Sequence, residues 1–225
     1  MSTDNSLPIL YSLQHCPYAM RARLAILKSQ QKVQIRAIVM KNKPEEMIIA
    51  SPKATVPVLV IVNNTDQSVK VIDESLDIML WALNNSDPDN LLYSHDPDAL
   101  TEMLSLIKQN DDEFKPRLEK YKRAKRFHGD DLEACRLDCE PFIELLEQRL
   151  IKNTFFMGPT ASLLDYALLP FVRQFSKVNK TVFAEARYKH LKNWLNKHLQ
   201  SRIFSRAMFK YPLWLDEHEV CVFGE

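Results

Sequence analysis

The stretch Tyr11 to Leu27, YSLQHCPYAMRARLAIL, places a thiol directly before a proline and a helical run. Proline suits the first position of a helix, and it pushes the residue before it into extended geometry. Cys16 is therefore predicted at the N-cap of a helix that opens at Pro17. Free backbone N–H groups and the positive end of the helix dipole would face its sulfur, an environment that favours thiolate over thiol. The thiolate is the reactive species in disulfide exchange. Arg21, one turn along, either adds positive charge or is simply solvated. A lone cysteine can equally be a small buried hydrophobe. Ala19 stands where a Cys-x-x-Cys motif would carry its second thiol. A mixed disulfide on Cys16 would thus need a thiol from solution to release it, which is a monothiol pattern.

The other cysteines, Cys135, Cys139 and Cys221, complete neither a disulfide framework nor a zinc spacing, and no metal site is expected. Cys135 and Cys139 are four apart on a predicted helix and share a face. Thirty basic residues against twenty-nine acidic ones leave no global field for nucleic acid or an anionic membrane. Lys115–Arg126 holds seven basic residues and one acid, but NDDEF precedes it and GDDLE follows, so it reads as a solvated helix face. The longest apolar runs are too short to span a bilayer, and the polar opening MSTDNSLP has no signal core. A cytoplasmic protein is expected.

The elements that must position Cys16 follow from patterning. PILYSL reads as a strand, Pro17 to about Gln30 as a helix, and VQIRAIV as a half-buried strand. KPEEMIIA gives a short helical turn. VPVLVIV and SVKVID flank the turn-rich NNTDQ as a hairpin, and ESLDIMLWAL returns to helical spacing. The order βαβ-α-ββα predicts a mixed four-stranded sheet over residues 1–86. A polar linker over 87–96 follows, then an all-helical domain over 97–225. Helices are expected at Ala99–Phe127, Leu132–Ile151, Leu163–Val178, Ala184–His198 and Arg202–Lys210. Ser162 and Asp165 fit a capping box with a structural role.

These residues, taken in order, resemble the cytosolic glutathione transferases of the cysteine type, such as the omega class and related bacterial proteins. CPYAMRARLAILK looks like the Cys-Pro-Phe-Ala opening of that family's first helix. KNKPEEMIIASPKATVPVLV is similar to the stretch leading to its cis-proline turn, and VIDES to its Glu-Ser pair. FFMGPTASLLDYALLPFVRQF resembles its capped helix, and HLKNWLNKHL and KYPLWL its bacterial carboxy-terminal pattern. The resemblance implies a thioredoxin-like α/β domain, an all-α domain, a homodimer, and glutathione as cosubstrate.

Carried over by position, the resemblance makes Cys16 the catalytic thiol and puts Lys43 near the glycine carboxylate of glutathione. Val56 would pair through its backbone with the cysteinyl part, and Pro57 would be cis. Glu74 and Ser75 would hold the γ-glutamyl end, and Tyr18, where the family usually has Phe, would line the site. Without the resemblance, Lys43 reads as an exposed lysine, and Glu74–Ser75 as an ordinary helix cap with Asp73. Ala54 departs from the glycine common in the family's loop. Tyr11, on the strand before the turn, is expected to pack. The implied activity is glutathione-dependent thiol transfer or reduction on a small disulfide or electrophile. Its pocket would lie between the domains, with candidates near Asn110–Tyr121 and Trp214. The alternative is a transferase-like binding or regulatory protein without turnover.

Overall fold

The computed structural model describes residues 7–63 and 65–224. They form two units, residues 7–89 together with 202–224, and residues 90–201.

The first unit opens with β1 (Ile9–Ser12), α1 (Pro17–Ser29) and β2 (Val33–Ala37), with β1 and β2 parallel. A short α2 (Glu45–Ala50) leads to β3 (Val58–Val62) and β4 (Val69–Ile72), an antiparallel hairpin, and then to α3 (Ser75–Asn85). Asn64, in the predicted turn of that hairpin, lies outside the described residues. The strands carry opposite sets of side chains on their two faces, as a period of two requires. Leu10 and Ser12 are buried toward α1, where Arg23 bonds Ser12. Tyr11 joins Ile38, Met47, Val56 and Val58 in a cluster on the other face. The sequence predicts four strands, and the sheet has five, ordered β4-β3-β1-β2-β5.

The fifth strand comes from the carboxy-terminal tail, which the sequence predicts as part of the helical domain. The tail runs through α10 (Arg202–Ala207) and α11 (Trp214–Glu217) to β5 (Cys221–Phe223), which pairs antiparallel with β2. Three residues are too few for a readable alternation, so only tertiary pairing defines this strand. Gly224 closes it at φ +110, and a Cβ there would sit 1.7 Å from the Gln31 carbonyl oxygen. Only glycine fits that approach.

The second unit is helical. The predicted helix from Ala99 to Phe127 is continuous but not uniform. α4 (Ala99–Gln109) passes through a π-helical turn, Asn110–Phe114, into α5 (Lys115–Phe127). Pro116 has no N–H for an intrahelical bond, and the wider turn before it accommodates the ring. After α6 (Leu132–Lys152) comes α7 (Leu163–Val178), opened by the expected Ser162–Asp165 capping box. Asp165 is fully buried and also accepts from the Phe156 N–H at 3.2 Å and the Trp194 indole at 2.8 Å. The expected helix Ala184–His198 is instead two, α8 (Lys180–Glu185) and α9 (Lys189–Leu199). The buried Glu147 of α6 accepts from the backbone N–H groups of His190 and Leu191, at 3.1 and 2.7 Å, and restarts the helix there.

Candidate active site

Cys16 stands at the N-cap of α1, in extended geometry with φ −69 and ψ 125, and Pro17 is the first helical residue. The first helical bond runs from the Met20 N–H to the Cys16 carbonyl at 2.9 Å. The sulfur makes no capping bond; its thiol donates to the Val56 carbonyl oxygen at 3.7 Å. Cys16 is half-buried and packs against the cluster containing Tyr11, Met47 and Val56. The Val56–Pro57 bond is cis, as the resemblance implies. The geometry therefore brings Cys16 and Val56 together, with Pro57 directly after Val56.

A second group assembles around the start of α3. Glu74 is its N-cap and Ser75 its first residue, and neither Glu74 nor Asp73 caps the helix with a side chain in the way an ordinary cap would. Asp73 instead accepts from the Ser51 hydroxyl at 2.7 Å and from Lys53 at 3.3 Å, and Lys53 also pairs with Glu74. The Ser51 hydrogen bond, followed by Lys53, holds the Asp73 carboxyl below its ordinary value. The α3 N-terminus is left with backbone N–H groups free of side-chain acceptors from its own cap, the arrangement that receives a carboxylate. Lys43 lies just before α2, half-buried, with no ion pair among the described residues. Tyr18 is half-buried beneath the Arg21 guanidinium, 5.7 Å from the ring centroid. Arg21 is buried rather than solvated. Tyr11 packs as expected, with its hydroxyl accepting from Arg36 at 2.8 Å.

Two residues at this site were not legible as such. Lys53 meets partners twenty and twenty-one positions away, so no local spacing marks it. Arg23 is the other. Its side chain is buried, and its guanidinium donates to the carbonyls of Leu13 at 3.2 Å, Gln14 at 2.6 Å and Ala207 at 2.7 Å, and to the Ser12 hydroxyl. It ties the loop before Cys16 to the tail. Burial pushes the guanidinium down to about 10, with the neighbouring side chains of Cys16 and Tyr211 pulling the other way. It stays charged at neutral pH. The signal was a pair of arginines, Arg21 and Arg23, among the otherwise apolar residues from Ala19 to Leu27.

Beside this loop the first unit holds a cavity of about 420 Å³, lined by Leu13, Gln14, His15, Val39, Tyr211 and Leu213 among others. Its size is that of a small-molecule site. Elsewhere Cys135 and Cys139 are buried, and burial pushes the Cys139 thiol up to about 12. All four cysteines are free. No group of three or more potential metal ligands occurs among the described residues, and no described helix is long and apolar enough to cross a membrane.

A thioredoxin-like unit with a cysteine at its first helix, followed by a helical unit, is the architecture of a glutathione-handling transferase. Two family models agree, the glutathione S-transferase N-terminal domain over residues 10–90 and its C-terminal domain over residues 130–197. The chain belongs to the glutathione S-transferase family, and its relatives include omega-class members. Pyrimidodiazepine synthase of Drosophila melanogaster is 28% identical over 198 residues, covering 84% of this chain and 75% of that protein. Glutathione S-transferase omega-2 of Rattus norvegicus is 29% identical over 173 residues. That match covers 72% of this chain but 63% of the rat protein, so less than two thirds of that relative is spanned. Among solved structures, a Pseudomonas fluorescens glutathione transferase family member with two glutathiones bound superposes with a TM-score of 0.78 at 16% identity, covering 92% of this chain and 94% of that one. Glutathione transferase Omega 2C of Trametes versicolor gives 0.73 at 20% identity, covering 91% and 94%. At these identities the structures establish the fold.

Proposed function

We propose that the protein is a glutathione-dependent thiol transferase or reductase in which Cys16 forms a mixed disulfide with glutathione. The observation that carries this reading is the Cys16 sulfur at an open helix N-cap, 3.7 Å from the backbone of the cis-proline turn. The Cys16 thiolate attacks the glutathionyl sulfur of a mixed disulfide. The old S–S bond breaks, and the other half leaves as a thiolate that takes up a proton. A second glutathione, as thiolate, attacks the sulfur now joined to Cys16. It leaves as oxidised glutathione and returns the enzyme thiolate. The net change is one mixed disulfide and one free glutathione converted to the free thiol and oxidised glutathione, so the incoming glutathione is the reductant.

In this reading the peptide-like cosubstrate lies along the turn at Val56, whose carbonyl exchanges the Cys16 thiol for the cosubstrate's cysteinyl N–H. Freed of that hydrogen bond, the sulfur faces the disulfide. Lys43 pairs with the glycine carboxylate, and the start of α3 at Glu74 and Ser75 holds the γ-glutamyl end. Tyr18 lines the thiol side. The cavity built from the loop before Cys16 and the tail takes the other half of the disulfide. A nucleophile occupies the position where a hydroxyl would activate glutathione, so conjugation to aryl halides is expected to be weak. A homodimer and a cytoplasmic setting belong to the same reading.

Steady-state turnover of a small glutathione mixed disulfide tests it. Wild type should turn over with saturable dependence on glutathione, and Cys16→Ala should lose that activity. Glutathione binding without turnover in wild type would favour a binding or regulatory protein instead.

A further inference from the structure

The helix α2, which follows Lys43, is too short to stand alone. It has six residues, of which only Met47 is buried, and Ile48 and Ile49 are exposed. Helices of this length are unstable without tertiary support. Its carboxy-terminal end is supported through Ser51, which bonds Asp73 at 2.7 Å. Its amino-terminal end is supported by the tail. The Glu46 carboxylate, in the first turn, accepts from the Arg36 guanidinium at 3.1 Å and from the Trp214 indole N–H at 2.7 Å. The Arg36 guanidinium sits over the Trp214 ring, 3.9 Å from its centroid, and also donates to Tyr11 at 2.8 Å. Trp214 is itself held from both sides. Leu213 bridges to Ala37, and β5 is paired along β2.

Tyr11, Arg36, Glu46 and Trp214 thus form one connected latch, which closes three residues from Lys43. We propose that Trp214 is a positioning residue for the Lys43 end of the cosubstrate site, so that the carboxy-terminal tail completes the recognition of the glycine carboxylate. The proposal rests on the glutathione reading above. Removing the indole frees Glu46 and uncovers Arg36, and α2 then loses the support that fixes the backbone at Lys43. The start of α3 meets α2 through Ser51 and Asp73, at the end of α2 away from Glu46 and Trp214, so the γ-glutamyl end should not respond.

That separation gives the test. Binding of glutathione and of γ-glutamylcysteine, which lacks the glycine, is measured by calorimetry on the full chain. A Cys16→Ser background prevents covalent trapping. Trp214→Ala should weaken glutathione binding roughly three- to tenfold, with γ-glutamylcysteine unchanged. Trp214→Phe, which keeps the ring and loses the N–H, should fall between. It also carries the test, together with Glu46→Gln, if the alanine variant does not fold. A general structural role would weaken both ligands alike, and that result overturns the proposal. So does wild-type affinity for glutathione in both Trp214 variants, which leaves the functional reading standing. No glutathione binding in the parent would overturn both.

Discussion

The Cys16 sulfur lies 3.7 Å from the carbonyl oxygen of Val56, forty positions away in sequence. One residue caps a helix and the other precedes a cis-proline, so both are fixed by backbone geometry rather than by long side chains. The thiol therefore has a defined place beside a backbone edge that can receive an extended peptide. That relationship needs a stable loop before Cys16, a formed turn at Val56, and a tail that stays in place. Each can be tested separately.

Arg23 secures the loop. Four acceptors, on Ser12, Leu13, Gln14 and Ala207, depend on one buried fork of donors. Arg23→Met leaves them unsatisfied in the interior, and urea unfolding should show a loss of about 3 kcal/mol or more. Arg23→Lys should recover little of it, because an ammonium cannot meet diverging acceptors as a planar fork does.

Ala54 carries a conformational penalty. Its φ is +51, in the left-handed region, at the position where the family commonly has glycine. Ala54→Gly relieves that penalty while adding freedom to the unfolded chain. The net effect should be stabilising by up to about 1 kcal/mol, read from the urea midpoint with an unchanged slope.

Asp73 makes stability depend on acid pH. Its folded value is depressed, mainly by the Ser51 hydroxyl and then by Lys53. A depressed carboxyl contributes stability that is present above its unfolded value, near 4, and is lost as the pH falls through the folded value. Asp73→Asn should flatten this part of the acid limb. Ser51→Ala should move the Asp73 titration upward, as followed by carboxyl NMR shifts.

Asp165 organises the second unit. Its fully buried carboxylate takes hydrogen bonds from Ser162, Phe156 and Trp194, while burial pushes its carboxyl up. Asp165→Ala should cost about 3 kcal/mol in thermal or urea unfolding, far more than an ordinary exposed cap. The loop before Cys16 lies in the other unit, so under the proposed function the remaining folded fraction should keep its activity per molecule.

What was legible in the sequence was what local chemistry fixes. Cys16–Pro17 announced an N-cap, the alternating and helical runs gave the first four strands and α1, and Ser162 with Asp165 gave the start of α7. Partners distant in sequence were not legible. β5 exists because it meets β2, α9 begins where Glu147 supplies acceptors from another helix, and Lys53 acquires its place from Asp73 and Glu74. Arg23 was visible beside Arg21 in the apolar middle of α1, but three of its acceptors are backbone carbonyls, which patterning does not count. The roles at Lys43, Glu74 and Ser75 came from resemblance, since each residue alone reads as ordinary surface or cap.

The central claim is that Cys16 accepts glutathione covalently. Mixing the protein with oxidised glutathione or a glutathione mixed disulfide, without reductant, and taking an intact mass with peptide mapping tests it most directly. One glutathione per chain is expected on the Cys16 peptide, removed on adding free glutathione and absent in Cys16→Ala. An unmodified Cys16, or an adduct carried only by Cys221, would contradict it.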